Sequence, residues 1–131
     1  MEQVLVDTSM LIDYLRCKEK NKTPFYRIFS QSKYHPVISL ITVTELWAGQ
    51  SLKDKKTLRV VEELVKKCKI IYLNLKTSKQ AGEILRQTNY QVSFQDAQIA
   101  ALALENQLPL FTLDTQDFQK IKGLKFLSYN L

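Results

Sequence analysis

The 131-residue chain holds one histidine, two cysteines, three glycines and three prolines. His35, Cys17 and Cys68 are too few nitrogen and sulfur ligands for a zinc centre, which takes about four, and no Cys-x-x-Cys pair is present. Spacing leaves a disulfide open. Two reduced thiols in a cytosolic protein are the expectation, because a chain of this length can build its own core. So little glycine and proline leaves no flexible linker, so one domain over residues 1–131 is expected. No apolar run approaches the ~20 residues that span a bilayer. The N-terminus runs directly into a strand with an acid at its end, unlike a signal peptide. Internal repeats and low-complexity tracts are absent.

Hydrophobic residues make up 45% of the chain, enough for a folded core, and the net charge is +6. A basic balance favours anionic partners, nucleic acid first. Val4-Leu5-Val6 is a buried-strand run that passes through Asp7 into a helical pattern from Thr8 to about Cys17, with Met10, Leu11, Tyr14 and Leu15 inward. Thr23-Pro24 starts a second helix, capped by the threonine. A second strand is expected at 35–40 and a helix from Ile41 or Thr42, with Glu45 in its first or second turn. The pattern then predicts a helix over 53–67, a strand over 69–73, and a helix over 77–88 capped by Thr77 or Ser78. Residues 89–92 read as a turn. Ser93-Phe94-Gln95-Asp96 opens an apolar, alanine-rich helix. Leu110-Phe111-Thr112-Leu113 reads as a strand ending at Asp114, Asp117 begins a helical turn, and 125–127 forms a last strand. This alternation predicts an α/β fold: a mainly parallel sheet of five strands with helices on both faces.

Right-handed crossovers bring every strand-to-helix junction to one edge of such a sheet, where α/β proteins bind ligands. Asp7, Glu45, Asp96, and Asp114 or Asp117 all fall at or just past those junctions. Singly, each has an ordinary role as a cap, a surface acid, a partner of the helix dipole or an Asx turn. Together they would repel one another, and a hard divalent cation such as Mg²⁺ relieves that repulsion with oxygen ligands alone. Such a cation can activate water against a phosphodiester without histidine or cysteine. A basic body around an acidic pocket suits a nuclease. The basic residues of 53–67, Lys53, Lys55, Lys56, Arg59 and Lys66, read as a solvated face paired with Glu62 and Glu63 rather than as a dedicated RNA track.

Four stretches, in order, resemble the PIN-domain ribonucleases, and among them the VapC-type toxins of toxin–antitoxin pairs. They are Val6-Asp7-Thr8-Ser9-x-Leu11-Ile12, Thr42-Val43-Thr44-Glu45-Leu46-x-x-Gly49, Asp96-Ala97-x-Ile99-Ala100-Ala101, and Leu108-Pro109-Leu110-x-Thr112-x-Asp114-x-x-Asp117-Phe118. The resemblance implies a three-layer PIN-like fold and a Mg²⁺- or Mn²⁺-dependent endoribonuclease. It implies Asp7, Glu45 and Asp96 as the acidic core. Asp117 would be the fourth metal ligand, with Asp114 nearby at a position where the family often has asparagine. Ser9 and Thr112 match hydroxyl positions that support the pocket. An RNA substrate, an antitoxin partner, a homodimer, a cytoplasmic setting and no membrane association follow from the same likeness. Tyr26, Phe29 and Trp47 are candidate partner contacts, Trp47 being placed rather in the core. Asn89 or Tyr90 stands where relatives often turn on glycine. An RNA-processing PIN nuclease and an inactive binding module are the alternatives. A receiver-like phosphoacceptor domain fits less well, because residues 3–6 offer no acid pair.

Overall fold

The computed structural model describes residues 1–128. Four parallel strands form the sheet: β1 (Glu2–Val6), β2 (Tyr34–Ser39), β3 (Lys69–Ile71) and β4 (Leu110–Phe111), in the order β3-β2-β1-β4. Among the described residues seven α-helices surround it: α1 (Thr8–Arg16), α2 (Pro24–Phe29), α3 (Leu40–Trp47), α4 (Lys55–Lys66), α5 (Leu75–Gln87), α6 (Phe94–Glu105) and α7 (Thr115–Phe118).

The three layers follow from the period-two alternation of strand side chains. Leu5, Val37 and Leu110 point to one face and pack with Ala81, Ile84, Leu102 and Phe118. Their neighbours Val4, Val6, Ile38 and Phe111 point to the other and pack with Met10, Leu11, Phe25, Val61 and Leu64. Both faces are covered along Val4–Val6, Val37–Ile38 and Leu110–Phe111, which are apolar runs, whereas the edge strand β3 is largely exposed. Pro36 is tolerated inside β2 because β3 pairs only from Val37 onward, leaving Pro36 with β1 alone as a neighbour.

The expected fifth strand at 125–127 is corrected to an isolated parallel bridge between Phe126 and Leu110. Leu110 donates to the Lys125 carbonyl at 2.9 Å and accepts from the Leu127 N–H at 2.9 Å. β4 supports no longer pairing, being two residues long. Trp47 is corrected as well. It ends α3 at 42% exposure rather than lying in the core, whereas Phe29 is half-buried and rests on Phe25 at 4.8 Å and Phe111 at 6.0 Å. Helix α5 begins earlier than expected because Asn74 is its cap, and the Asn74 and Thr77 side chains close a reciprocal capping box. The turn at 89–92 has both Asn89 and Tyr90 in the left-handed region, with φ of 53° and 59°. Cys17 and Cys68 are free thiols, and burial pushes that of Cys68 up to about 12. Among the described residues no helix is long and apolar enough to cross a membrane.

The helix behind Asp7 is tied down at its far end. The Lys20 ammonium donates to the carbonyls of Tyr14, Leu15 and Cys17 at 2.9, 3.0 and 3.2 Å and sits 5.1 Å from the Tyr14 ring centroid. These are orphan carbonyls of the helix C-terminus, where a cation is favoured. Lys20→Met is expected to cost about 2 kcal/mol in urea unfolding. Lys22, whose ammonium pairs with the exposed Glu19, should lose less than about 1 kcal/mol in the parallel Lys22→Met variant.

Candidate active site

Helix α1 starts at Thr8, and Asp7 occupies its cap position without making a side-chain cap bond. The Asp7 side chain is used elsewhere. It is buried, at 7% exposure, and its Oδ2 accepts from Thr112 Oγ1 at 2.7 Å and from Ser9 Oγ at 3.0 Å. Each hydroxyl is itself fed by a backbone donor. Leu113 N–H donates to Ser9 Oγ at 3.2 Å and Asp114 N–H to Thr112 Oγ1 at 3.0 Å. The buried charge is thus satisfied by hydroxyls alone, and no hydrogen bond from a described residue reaches its Oδ1.

Glu45 comes from the second turn of α3, capped by Ser39. Its Oε1 accepts from Thr8 Oγ1 at 2.8 Å, and Thr8 Oγ1 lies 2.9 Å from Thr42 Oγ1. Asp96 stands in the first turn of α6, where Ser93 caps its N–H at 3.0 Å. Asp114 precedes α7 and Asp117 lies within it. Asp7, Glu45, Asp96 and Asp114 line one cleft of about 210 Å³ together with Thr8, Ser9, Ile12, Gln95 and Ile99. Asp117 is exposed and outside that lining, although its field reaches both Asp96 and Asp114.

No lysine or arginine lines the cleft, and none of the ion pairs among the described residues involves these acids. The carboxylates therefore act on one another. Burial first, and then the charge of Asp7, pushes Asp96 up to about 6; a hydrogen bond with Ser93 opposes this, and Asp117 and Asp114 add to it. Asp114 is raised above the usual carboxylate range by desolvation, then by Asp7 and Asp117. Among the described residues no group of three or more acids is placed so as to hold a metal ion. An open cleft that offers carboxylate and hydroxyl oxygens still suits Mg²⁺, which keeps several waters and takes one or two carboxylates.

The PIN domain family matches residues 4–124. The chain belongs to that family. Its fold is shared with VapBC from Salmonella typhimurium bound to DNA, at 24% identity and TM-score 0.80 over 97% of this chain and 98% of that one. VapBC2 from Rickettsia felis, bound to a fragment of its promoter, is 20% identical with TM-score 0.81 over 98% and 99%. VapBC-1 from nontypeable Haemophilus influenzae is 23% identical with TM-score 0.77 over 96% and 97%. No curated protein matches the sequence.

Of the residues singled out in the sequence, this PIN domain brings Asp7, Glu45, Asp96, Asp114 and Ser9 to the cleft wall, and Thr112 stands directly behind Asp7. Sequence reasoning passed over Thr8 and Thr42 as hydroxyl partners of Glu45. Their signal was positional: both sit in the first turn of a helix that follows a strand, and each accompanies an acid in its motif.

Two outcomes follow for the metal-free chain. The folded pKa of Asp96, about 6, lies above the ordinary 3.8, so the folded state binds that proton more tightly than the unfolded state. Stability from this group is therefore gained as pH falls through that interval and missing above it. In EDTA, Asp96→Asn is expected to raise Tm at about pH 7.5, and the difference from wild type should shrink at about pH 5; thermal melts at both values check this. Thr112→Val removes a donor from a buried carboxylate and strands the Asp114 N–H. It should cost about 2 kcal/mol in urea unfolding.

Proposed function

We propose that this chain is a divalent-metal-dependent endoribonuclease of the VapC type, the toxin of a toxin–antitoxin pair. One observation carries the reading. Four acids from four separate elements share a cleft with no cation in its wall, in a chain whose net charge is +6. A structural role for such acids would pair them with lysine or arginine. Leaving them unpaired costs stability that a bound cation restores. The VapBC complexes named among the structural neighbours support the toxin–antitoxin part of the reading.

Asp7, Glu45 and Asp96 are the ligands of this reading, with Asp114 or Asp117 as the fourth. Asp114's place in the cleft wall favours it as the nearer of the last two. A bound Mg²⁺ or Mn²⁺ lowers the pKa of water and offsets the negative charge that develops on a phosphodiester. Ser9 and Thr112 hold Asp7 in one orientation. The exposed lysines and arginine of α4 and its flanks grip the RNA backbone, which attracts cations regardless of sequence. An antitoxin would cover the cleft, with Tyr26 and Trp47, both more than 40% exposed, as apolar anchors. A homodimer acting in the cytoplasm completes the reading.

The test is cleavage of total cellular RNA by the purified chain, freed of any antitoxin, in Mg²⁺ or Mn²⁺. Discrete fragments are expected, absent in EDTA and reduced at least about 100-fold by Asp96→Asn. A folded, antitoxin-free sample that cuts no RNA in either metal would overturn the nuclease assignment.

A further inference from the structure

Thr42 is a hydroxyl that packing alone does not explain. It is fully buried, at 0% exposure, on the helix that carries Glu45. It does not line the cleft. Valine has the same branched shape, and burying a hydroxyl is unfavourable unless a hydrogen bond compensates. The side-chain partner the structure gives it is Thr8 Oγ1 at 2.9 Å.

We propose that Thr42 is a positioning residue that fixes Glu45 through Thr8. The inference rests on the reading of the cleft as a cation site. It follows from counting protons. A threonine hydroxyl carries one hydrogen, and an ionised carboxylate only accepts. The Thr8 hydrogen goes to Glu45 Oε1 at 2.8 Å, so it cannot also go to Thr42. Thr42 therefore donates to Thr8, and the order of the chain is Thr42 to Thr8 to Glu45. A hydroxyl that accepts one hydrogen bond becomes a better donor of the next. Glu45 needs such a hold more than Asp7 does, because its longer side chain has more rotamers to lose. With Oε1 held from behind, no hydrogen bond from a described residue reaches Oε2. Asp7 shows the same arrangement, with both donors on Oδ2. Thr8 and Thr42 do for the α3 acid what Ser9 and Thr112 do for the β1 acid.

The experiment uses the full chain and two readouts: Mn²⁺ affinity by electron paramagnetic resonance, and single-turnover RNA cleavage. Thr8→Val is expected to weaken Mn²⁺ binding by about 10- to 100-fold, the usual loss when a partner of a metal-ligating residue is removed. Thr42→Val, one bond further away, should lose less, at or below about 10-fold. Thr42→Ser and Thr8→Ser should restore wild-type affinity, because each returns the hydroxyl. The double valine variant should be no worse than Thr8→Val alone, since both act along one line. In a Glu45→Gln background neither valine change should matter further. If Thr42→Val does not fold, Thr42→Ala takes its place with the same expectation. Unchanged Mn²⁺ affinity in the valine variants, failure of serine to rescue, or additive losses would overturn the proposal while leaving a wild type that binds Mn²⁺ and cleaves RNA intact. A wild-type chain that binds no Mn²⁺ would overturn the cation reading and this inference together.

Discussion

Asp7 Oδ2 is the point on which the cleft depends. A buried carboxylate needs either a positive partner or a set of donors, and here the donors are the hydroxyls of Ser9 and Thr112. A lysine would have satisfied the charge by cancelling it. Hydroxyls satisfy it and leave it negative. Because those hydroxyls in turn accept the N–H groups of Leu113 and Asp114, the same bonds fold the chain after β4 over Asp7 and carry Asp114 to the cleft wall. Fixing one charge thus delivers another beside it.

Three consecutive residues divide the work. Asp7 and Ser9 reach toward the end of β4, while Thr8 reaches toward α3. β1 lies between β2 and β4 in the sheet, so the turn that follows it is flanked by the turns that follow both neighbours. Asp96 joins from α6, whose alanines let the helix pack tightly over Leu5 and Leu110. The raised pKa of Asp96 measures how closely this arrangement crowds negative charge.

Much of this was legible in the residues. Strand and helix periodicity gave the layers, and acids just past strand ends gave most of the cleft, because parallel topology sends every such end to one edge; Asp96 is the exception, since α6 follows α5 and not a strand. What escaped depends on distances that periodicity does not encode. Phe126 has the look of a strand residue, yet β4 stops at Phe111, opposite Val6 at the end of β1, so only a bridge forms. Trp47 reads as core by composition but falls on the last residue of α3, past the helix's packed face. Asp114 and Asp117 have the same spacing signal; only the geometry of α7 separates the one lining the cleft from the one outside it. Thr8 and Thr42 look like ordinary helix-start hydroxyls until their mutual distance is known.

The turn between α5 and α6 has a different bearing on the molecule. Asn89 and Tyr90 occupy the left-handed region in succession. Asparagine adopts it at modest cost, whereas a tyrosine pays for its Cβ by roughly 1–2 kcal/mol. Tyr90 is 77% exposed and has no part in the hydrogen-bond networks of the cleft; its N–H donates to the Leu85 carbonyl at 2.8 Å, the local bond set against that strain. Selection for a working fold tolerates such a residue because it asks only that stability stay above a threshold. The strain sits at a surface position open to change without touching the acids of the cleft.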